Sequence, residues 1–254
     1  MTMDEPGLPS ALIFDLGRDS PFSFKCQVCS TCCYGKFIRI SPYEALRLAR
    51  YFGLTTTEFY AQYTEEGGTV LRVKPDASCI FLTPKGCSVH PDRPLVCRLY
   101  PLGQIVDKEG KERFGSMPAH PDCLGVAGAD GTVEAYLESQ GAEAYFYFDK
   151  MYAAAYKQMA AKLDSIGRKS KTRKVRRKKK NNSRNRASSD CLGSPWLDID
   201  AAVATYCAER SLRKPDDLES LVKVHLAAVE DWLARSFSQK SRRQDFRRKN
   251  TSRP

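Results

Sequence analysis

Nowhere in the 254 residues do 18 apolar residues run together, so a membrane-spanning helix is not expected. The opening stretch, Met1 to Ser10, carries two acids and no base ahead of a modest apolar patch at Ala11 to Phe14. The cationic head and long hydrophobic run of a secretory signal are both missing, and cytoplasmic residence is the expectation. No glycine-rich strand-turn-helix loop of the kind that cradles phosphates occurs. Outside two short segments, net positive charge is missing too. Arg168 to Arg186 holds 12 Lys or Arg and no acid, and Arg235 to Pro254 holds eight and one Asp; together they carry +19 against +11 for the chain, leaving −8 for the rest. The folded parts are thus acidic, which argues against a basic nucleic-acid-binding domain.

What the chain has in quantity is cysteine: ten residues, eight of them between Cys26 and Cys123. Disulfides are rare in a reducing compartment, so metal binding is the leading reason for such crowding. The length allows one or two domains with a sizeable core.

Local signals place the elements coarsely. Ser41, Pro42 and Glu44 form a good helix start, with the helix running to Tyr51 and stopping at Gly53; a second short helix from Thr56 or Thr57 covers Phe59 and Tyr63. Val70 to Val73 and Cys79 to Leu82 read as strands, and Leu102 to Val106 pairs with Arg113 and Phe114 as a hairpin around Asp107 to Lys111. Three prolines between Cys87 and Pro101 argue against long regular structure there. Thr132 caps a short helix, and from Ala142 onward Phe148, Tyr152, Ala155, Tyr156, Met159 and Leu163 mark one face of a long one. Trp196 to Arg210 and Asp216 to Phe237 read as two further helices, which fold back on the cysteine domain or pair with a second copy.

The expected class is α+β: a small irregular cysteine-rich metal-binding domain with short strands and packed helices, followed by helical segments. Its parts are an N-terminal arm (1–21), the cysteine domain (22–130), a helical extension (131–166), a basic linker (167–190), a helical pair (191–238) and a basic tail (239–254). Linker and tail have almost nothing to bury and are expected to stay disordered.

Cys26, Cys29 and Cys32 recur every third residue, a spacing that lets the chain turn while thiolates converge; it resembles the opening run of bacterial ferredoxins. Cys33 departs from that run, and no fourth cysteine followed by proline stands at the usual offset. Cys79, Cys87, Cys97 and Cys123 supply the further thiolates. Eight sulfurs suit one centre with spare ligands or two four-coordinate sites, and adjacent cysteines such as Cys32 and Cys33 are expected to point apart. Four sulfurs fit either zinc or an iron–sulfur cluster, such as 4Fe-4S. Buried apolar cysteine is the plain explanation for the isolated Cys191 and Cys207. It does not explain four cysteines in eight residues flanked by Lys25, Gln27, Ser30 and Thr31.

These residues carry a family resemblance. Cys26 to Cys33 resembles the CxxCxxCC signature of the YkgJ-type cysteine-cluster proteins, and Gly86 to His90, Arg93-Pro94, Cys97-Arg98 and Pro101 are similar to that family's next motif. Cys79 before Phe81-Leu82 and the late Cys123-Leu124-Gly125 match its remaining cysteines. His90 stands where tyrosine is more usual. The resemblance covers about residues 22 to 125 and implies a zinc- or iron-chelating domain of unassigned activity. More distantly it extends to iron–sulfur enzymes that methylate lysines of flagellin. The chain has no nucleotide loop for a methyl donor and no CxxxCxxC arrangement of radical enzymes, so a lysine methyltransferase is the alternative, beside a structural-zinc module for an acidic or nucleic-acid partner.

His90 and His120 are weaker ligand candidates beside so many thiolates, and His225 reads as a core or interface histidine. Arg93 and Arg98 flank Cys97 and are suited to offsetting thiolate charge or holding backbone acceptors. Tyr34, Tyr100, Asp92 and Asp122 are neighbours from the same loops, without a recognisable acid–base pair. The run from Arg168 to Arg186 is suited to weak, charge-driven contact with nucleic acid, but has no interleaved aromatics to stack on bases. A protein partner and the oligomeric state are left open.

Overall fold

The computed structural model describes residues 13–107, 109–171 and 196–250. The basic run from 172 onward and Cys191 lie outside the described residues. In chain order the elements are β1 (Pro21–Lys25), α1 (Pro42–Tyr51), α2 (Thr56–Tyr63), β2 (Thr64–Glu65), β3 (Val70–Leu71), β4 (Leu82–Thr83), β5 (Gly86–Cys87), α3 (Leu95–Leu99), β6 (Leu102–Val106), β7 (Glu112–Ser116), β8 (Val126–Thr132), α4 (Val133–Ser139), α5 (Glu143–Lys171), α6 (Ile199–Arg210) and α7 (Leu218–Asn250). The mixed α+β class is as expected. Among the described residues, no helix is long and apolar enough to cross a membrane.

The chain divides into two compact units, each discontinuous in sequence. One takes the residues up to Arg39 and Leu71–Phe146; the other takes Ile40–Val70 and the residues from Tyr147 on.

The first unit is built on an antiparallel ribbon of β1 and β8, with Ser23 opposite Gly128, Phe24 opposite Ala127 and Lys25 opposite Val126. Neither strand was expected. The sequence of β8, VAGADGT, is poor in strand formers, and its pairing follows from what β1 buries. Phe22 sits edge-on to Tyr136 of α4 at 5.0 Å, and both phenylalanines join Leu99, Leu102, Phe114, Val133 and Leu137 in the core. Gly125 is needed just before β8, because a Cβ there would come within 2.2 Å of the buried Phe24 ring. Thr132 caps α4 as expected, its hydroxyl accepting from the Ala135 N–H at 3.2 Å. The hairpin of β6 and β7 also matches its sequence signal. The stretch before β1 is laced down, with Leu16 bridging Phe114 and Arg18 bonded to Glu112, Glu134 and Glu143 at 2.8, 2.6 and 2.8 Å.

Two strand expectations are corrected. Between Val70 and Val73 only Val70–Leu71 is strand, with Val73 making an isolated bridge to Cys79. Cys79 to Leu82 is a tight turn leading into β4, closed by the Leu82 N–H on the Cys79 carbonyl at 3.0 Å. The Cys79 N–H bonds the Cys33 carbonyl at 2.8 Å and the Ile80 N–H bonds the Arg72 carbonyl at 3.2 Å, so the segment makes single bridges to two different neighbours before it turns, rather than a continued ladder with either.

In the second unit, α1 opens with the expected reciprocal cap between Ser41 and Glu44 and stops before Gly53, which adopts φ +67°. Thr55 and Glu58 form a second such box on α2. The helices α6 and α7 pack on each other and on α1 and α2. His225 is fully buried, its Nδ1 2.8 Å from the Tyr152 hydroxyl.

Asp198 and Asp200 clasp this helical core. Fully buried Asp198 caps α6 through the Ala201 N–H and accepts from the hydroxyls of Thr56 and Thr57, both at 2.6 Å. Asp200 receives both arms of Arg50 at 3.0 and 2.7 Å, Lys214 at 2.7 Å and the Thr56 N–H at 2.9 Å. Burial alone would raise its pKa, but these donors outweigh burial and hold it well below the usual carboxylate range. A carboxyl shifted this way binds fewer protons folded than unfolded, so its stabilisation is complete above that range and drains away as the pH falls toward the folded value. Asp200→Asn should therefore cost about 2 kcal/mol at neutral pH and flatten the acid limb of stability; urea melts of both proteins at neutral pH and at pH below the carboxylate range check this.

Candidate metal centre

Cys26 leaves the end of β1 and enters a loop that reverses itself twice. Val28 and Ser30 adopt φ of +53° and +65°, on either side of Cys29, before a 3-10 turn at Thr31–Cys33. A residue with a Cβ in this region costs about 1 kcal/mol or more, most for a β-branched one such as Val28. Two such residues in three mark a loop whose shape is imposed by what its side chains do.

The sulfurs attract backbone donors in a repeated pattern. The amide two residues on points at the sulfur of Cys26 (from Val28, 3.4 Å) and of Cys123 (from Gly125, 3.4 Å). The same relation holds for Cys29 with Thr31, Cys79 with Phe81, and Cys87 with Val89. Cys29 is further met by the Thr31 hydroxyl at 3.3 Å and the Leu124 N–H at 3.5 Å.

All eight cysteines from Cys26 to Cys123 line one cavity of about 80 Å³, formed wholly within the first unit. Sequence positions nearly a hundred residues apart are thereby brought together, while Cys207 is buried elsewhere, in the second unit. None of these nine cysteines is joined in a disulfide. Among the described residues, no three His, Cys, Asp or Glu side chains stand in an arrangement ready to hold a metal ion.

Cys32 and Cys33 do not point apart. The 3-10 turn brings their sulfurs into hydrogen-bond reach, and this contact is the main reason the Cys32 thiol is held down to about 6 while that of Cys33 is pushed far up. Lys36 and Arg93 also favour the Cys32 thiolate. The hydroxyl of Thr31, with its amide and that of Leu124, brings Cys29 down to about 7. Burial pushes Cys79, Cys87 and Cys123 up.

The two arginines divide the work expected of them. Arg93 lies within electrostatic reach of Cys26, Cys32, Cys87 and Cys97 and is itself positioned by Gln140, whose side-chain oxygen accepts at 2.6 Å. Arg98, 7% exposed, bonds the carbonyls of Arg93 (3.0 Å), Gln140 (2.6 Å) and Pro91 and lies over the Tyr145 ring at 4.6 Å. His90 lines the cavity with Nδ1 3.2 Å from Arg93, whereas His120 turns to its own loop, accepting from the Asp122 N–H. Tyr100 lines the cavity and its hydroxyl accepts from the His120 N–H at 2.8 Å.

Phe24, Lys36, Tyr136 and Gln140 also line the cavity and were not singled out by sequence. The alternation of Phe22 and Phe24 was a usable signal; Gln140, at a helix end 47 residues from Arg93, had none.

A cavity walled by eight thiols, their charge met by backbone amides and an arginine, defines a cysteine-cluster domain. Residues 25–120 match the family model described as "CxxCxxCC: Putative zinc- or iron-chelating domain", so a CxxCxxCC domain is present in this chain. The match takes in seven of the eight cavity cysteines and ends three residues before Cys123. Comparison with curated proteins and with solved structures found no match.

Removing Arg98 strands three carbonyls in the wall of the site. Arg98→Met should cost about 3 kcal/mol, against a much smaller loss for Arg93→Met, in urea melts at neutral pH.

Proposed function

We propose that the first unit is a metal-chelating module that holds zinc or an iron–sulfur cluster such as 4Fe-4S through thiolates drawn from Cys26, Cys29, Cys32, Cys33, Cys79, Cys87, Cys97 and Cys123. The observation that carries this reading is the amide donated from two residues on to five of these sulfurs. A neutral thiol buried as a small apolar residue needs no such donors, whereas a thiolate ligand is stabilised by each one. The cavity volume agrees, being a fraction of the few hundred Å³ that an organic ligand fills. Bound zinc would supply a tetrahedral staple for loops with little regular structure, and an iron–sulfur cluster would add an electron acceptor. The residues would close around the metal on binding, since coordination and folding are coupled when a site is not already assembled. Free thiols in this number suit a reducing compartment such as the cytoplasm.

The likeness to YkgJ-type proteins supports the same reading. The more distant likeness to flagellin lysine methylases carries the enzyme alternative, which needs a methyl donor bound outside the cysteine cavity; binding of S-adenosylmethionine by the metal-loaded protein tests it. Charge-driven nucleic-acid contact through the basic run is a separate property, tested by deleting 168–186 and following the salt dependence.

Protein purified without oxygen is expected to carry stoichiometric metal. A brown solution with acid-labile sulfide identifies iron–sulfur; a colourless one with zinc identifies a structural ion. Reduced, oxygen-protected protein that folds fully with neither metal, and takes up neither, overturns the proposal.

A further inference from the structure

We propose that the eight sulfurs form two separate four-thiolate sites, Cys32, Cys33, Cys79 and Cys87 in one and Cys26, Cys29, Cys97 and Cys123 in the other. This rests on the reading of the unit as a metal chelator and assigns its ligands.

The division follows two different pieces of scaffold. The first set is carried by the chain between Ser78 and Cys87 and its clasp on the 3-10 turn. The Cys79 N–H bonds the Cys33 carbonyl at 2.8 Å, Tyr34 bridges Ser78, and Leu82 pairs with Cys87 across β4 and β5. Cys79 and Cys87 are thereby held over Cys32 and Cys33, and the Cys33 sulfur lies within electrostatic reach of the other three.

The second set is carried by the ribbon of β1 and β8. Lys25 pairs with Val126, which sets Cys26 at the same ribbon end as the turn containing Cys123. The Leu124 N–H reaches the Cys29 sulfur at 3.5 Å, the Thr31 hydroxyl bonds the Asp122 carbonyl at 3.2 Å, and the sulfurs of Cys29 and Cys123 are hydrogen-bonded. Cys97 joins through the segment that follows it. The Tyr100 ring meets Phe24 edge-on at 6.1 Å, and its hydroxyl takes the His120 N–H, so α3 is tied to both strands' ends. Arg93 stands within electrostatic reach of Cys26 and Cys97 here and of Cys32 and Cys87 in the first set, so its charge is shared by both. Cys32 lies between the sets, within reach of Cys123 too; its contact with Cys33 and its place under the Cys79–Cys87 segment assign it to the first.

Four sulfurs complete the tetrahedral shell of zinc or of cobalt standing in for it, so each set has the ligand number of a full site, which would close on binding. The test uses the full chain, reduced and oxygen-free, titrated with Co²⁺ and followed by the thiolate-to-metal charge-transfer band. Two equivalents are expected, with Cys33→Ser/Cys87→Ser keeping one, Cys26→Ser/Cys123→Ser keeping the other, and Cys87→Ser/Cys123→Ser losing both bands. Because serine variants can fail to fold, the wild-type chain loaded with one equivalent is also alkylated and its protected cysteines mapped by mass spectrometry. Protection that falls on one set of four or on the other supports the division. A single equivalent in the wild type, or protected groups that mix the two sets, overturns it while leaving chelation intact. No cobalt bound and no native metal found overturns the chelation reading itself.

Discussion

Sulfur is a weak hydrogen-bond acceptor until it carries charge, and the first unit is arranged as though its sulfurs do. Amides from two residues on meet five of them, and Arg93 stands within reach of four. The left-handed backbone at Val28 and Ser30 serves the same demand, turning the chain sharply on either side of Cys29 so that a short loop delivers its cysteines to the cavity that Cys79, Cys87, Cys97 and Cys123 also line. Local strain is accepted where the arrangement of donors and sulfurs requires it.

That demand leaves little regular structure around the cavity, and the unit compensates at its margins. The ribbon of β1 and β8 buries Phe22 and Phe24, α4 closes over them, and Arg98 satisfies three carbonyls that no helix or sheet takes. The buried arginine is thus a substitute for secondary structure: one side chain with five donors pins the loop before α3 to the end of α4. Arg93, next to the sulfurs, acts mainly through charge.

The second unit solves an unlike problem. It is helical, with conventional caps, and its long-range ties are carboxylates. Asp198 and Asp200 bind the start of α2 to the start of α6, more than 140 residues away, through hydroxyl, amide, guanidinium and ammonium donors. Each buried oxygen is met, the condition under which buried charge stabilises rather than costs. The acidic balance of the chain outside its two basic segments is put to use in such places.

Helix starts at Ser41 and Thr132, a second short helix from Thr56, the long apolar face from Ala142, the hairpin of β6 and β7 and the set of cysteines to examine were all legible in the sequence, because each rests on interactions within a few residues or on sheer crowding. The ribbon of β1 and β8 was not, since a glycine-rich strand takes its conformation from the phenylalanines it pairs beside. Nor were the orientation of Cys32 and Cys33, the different duties of Arg93 and Arg98, or the part played by Gln140. Those depend on which distant segments meet, and spacing along a chain carries no record of which sulfur will face which once loops without their own hydrogen-bonded structure have converged.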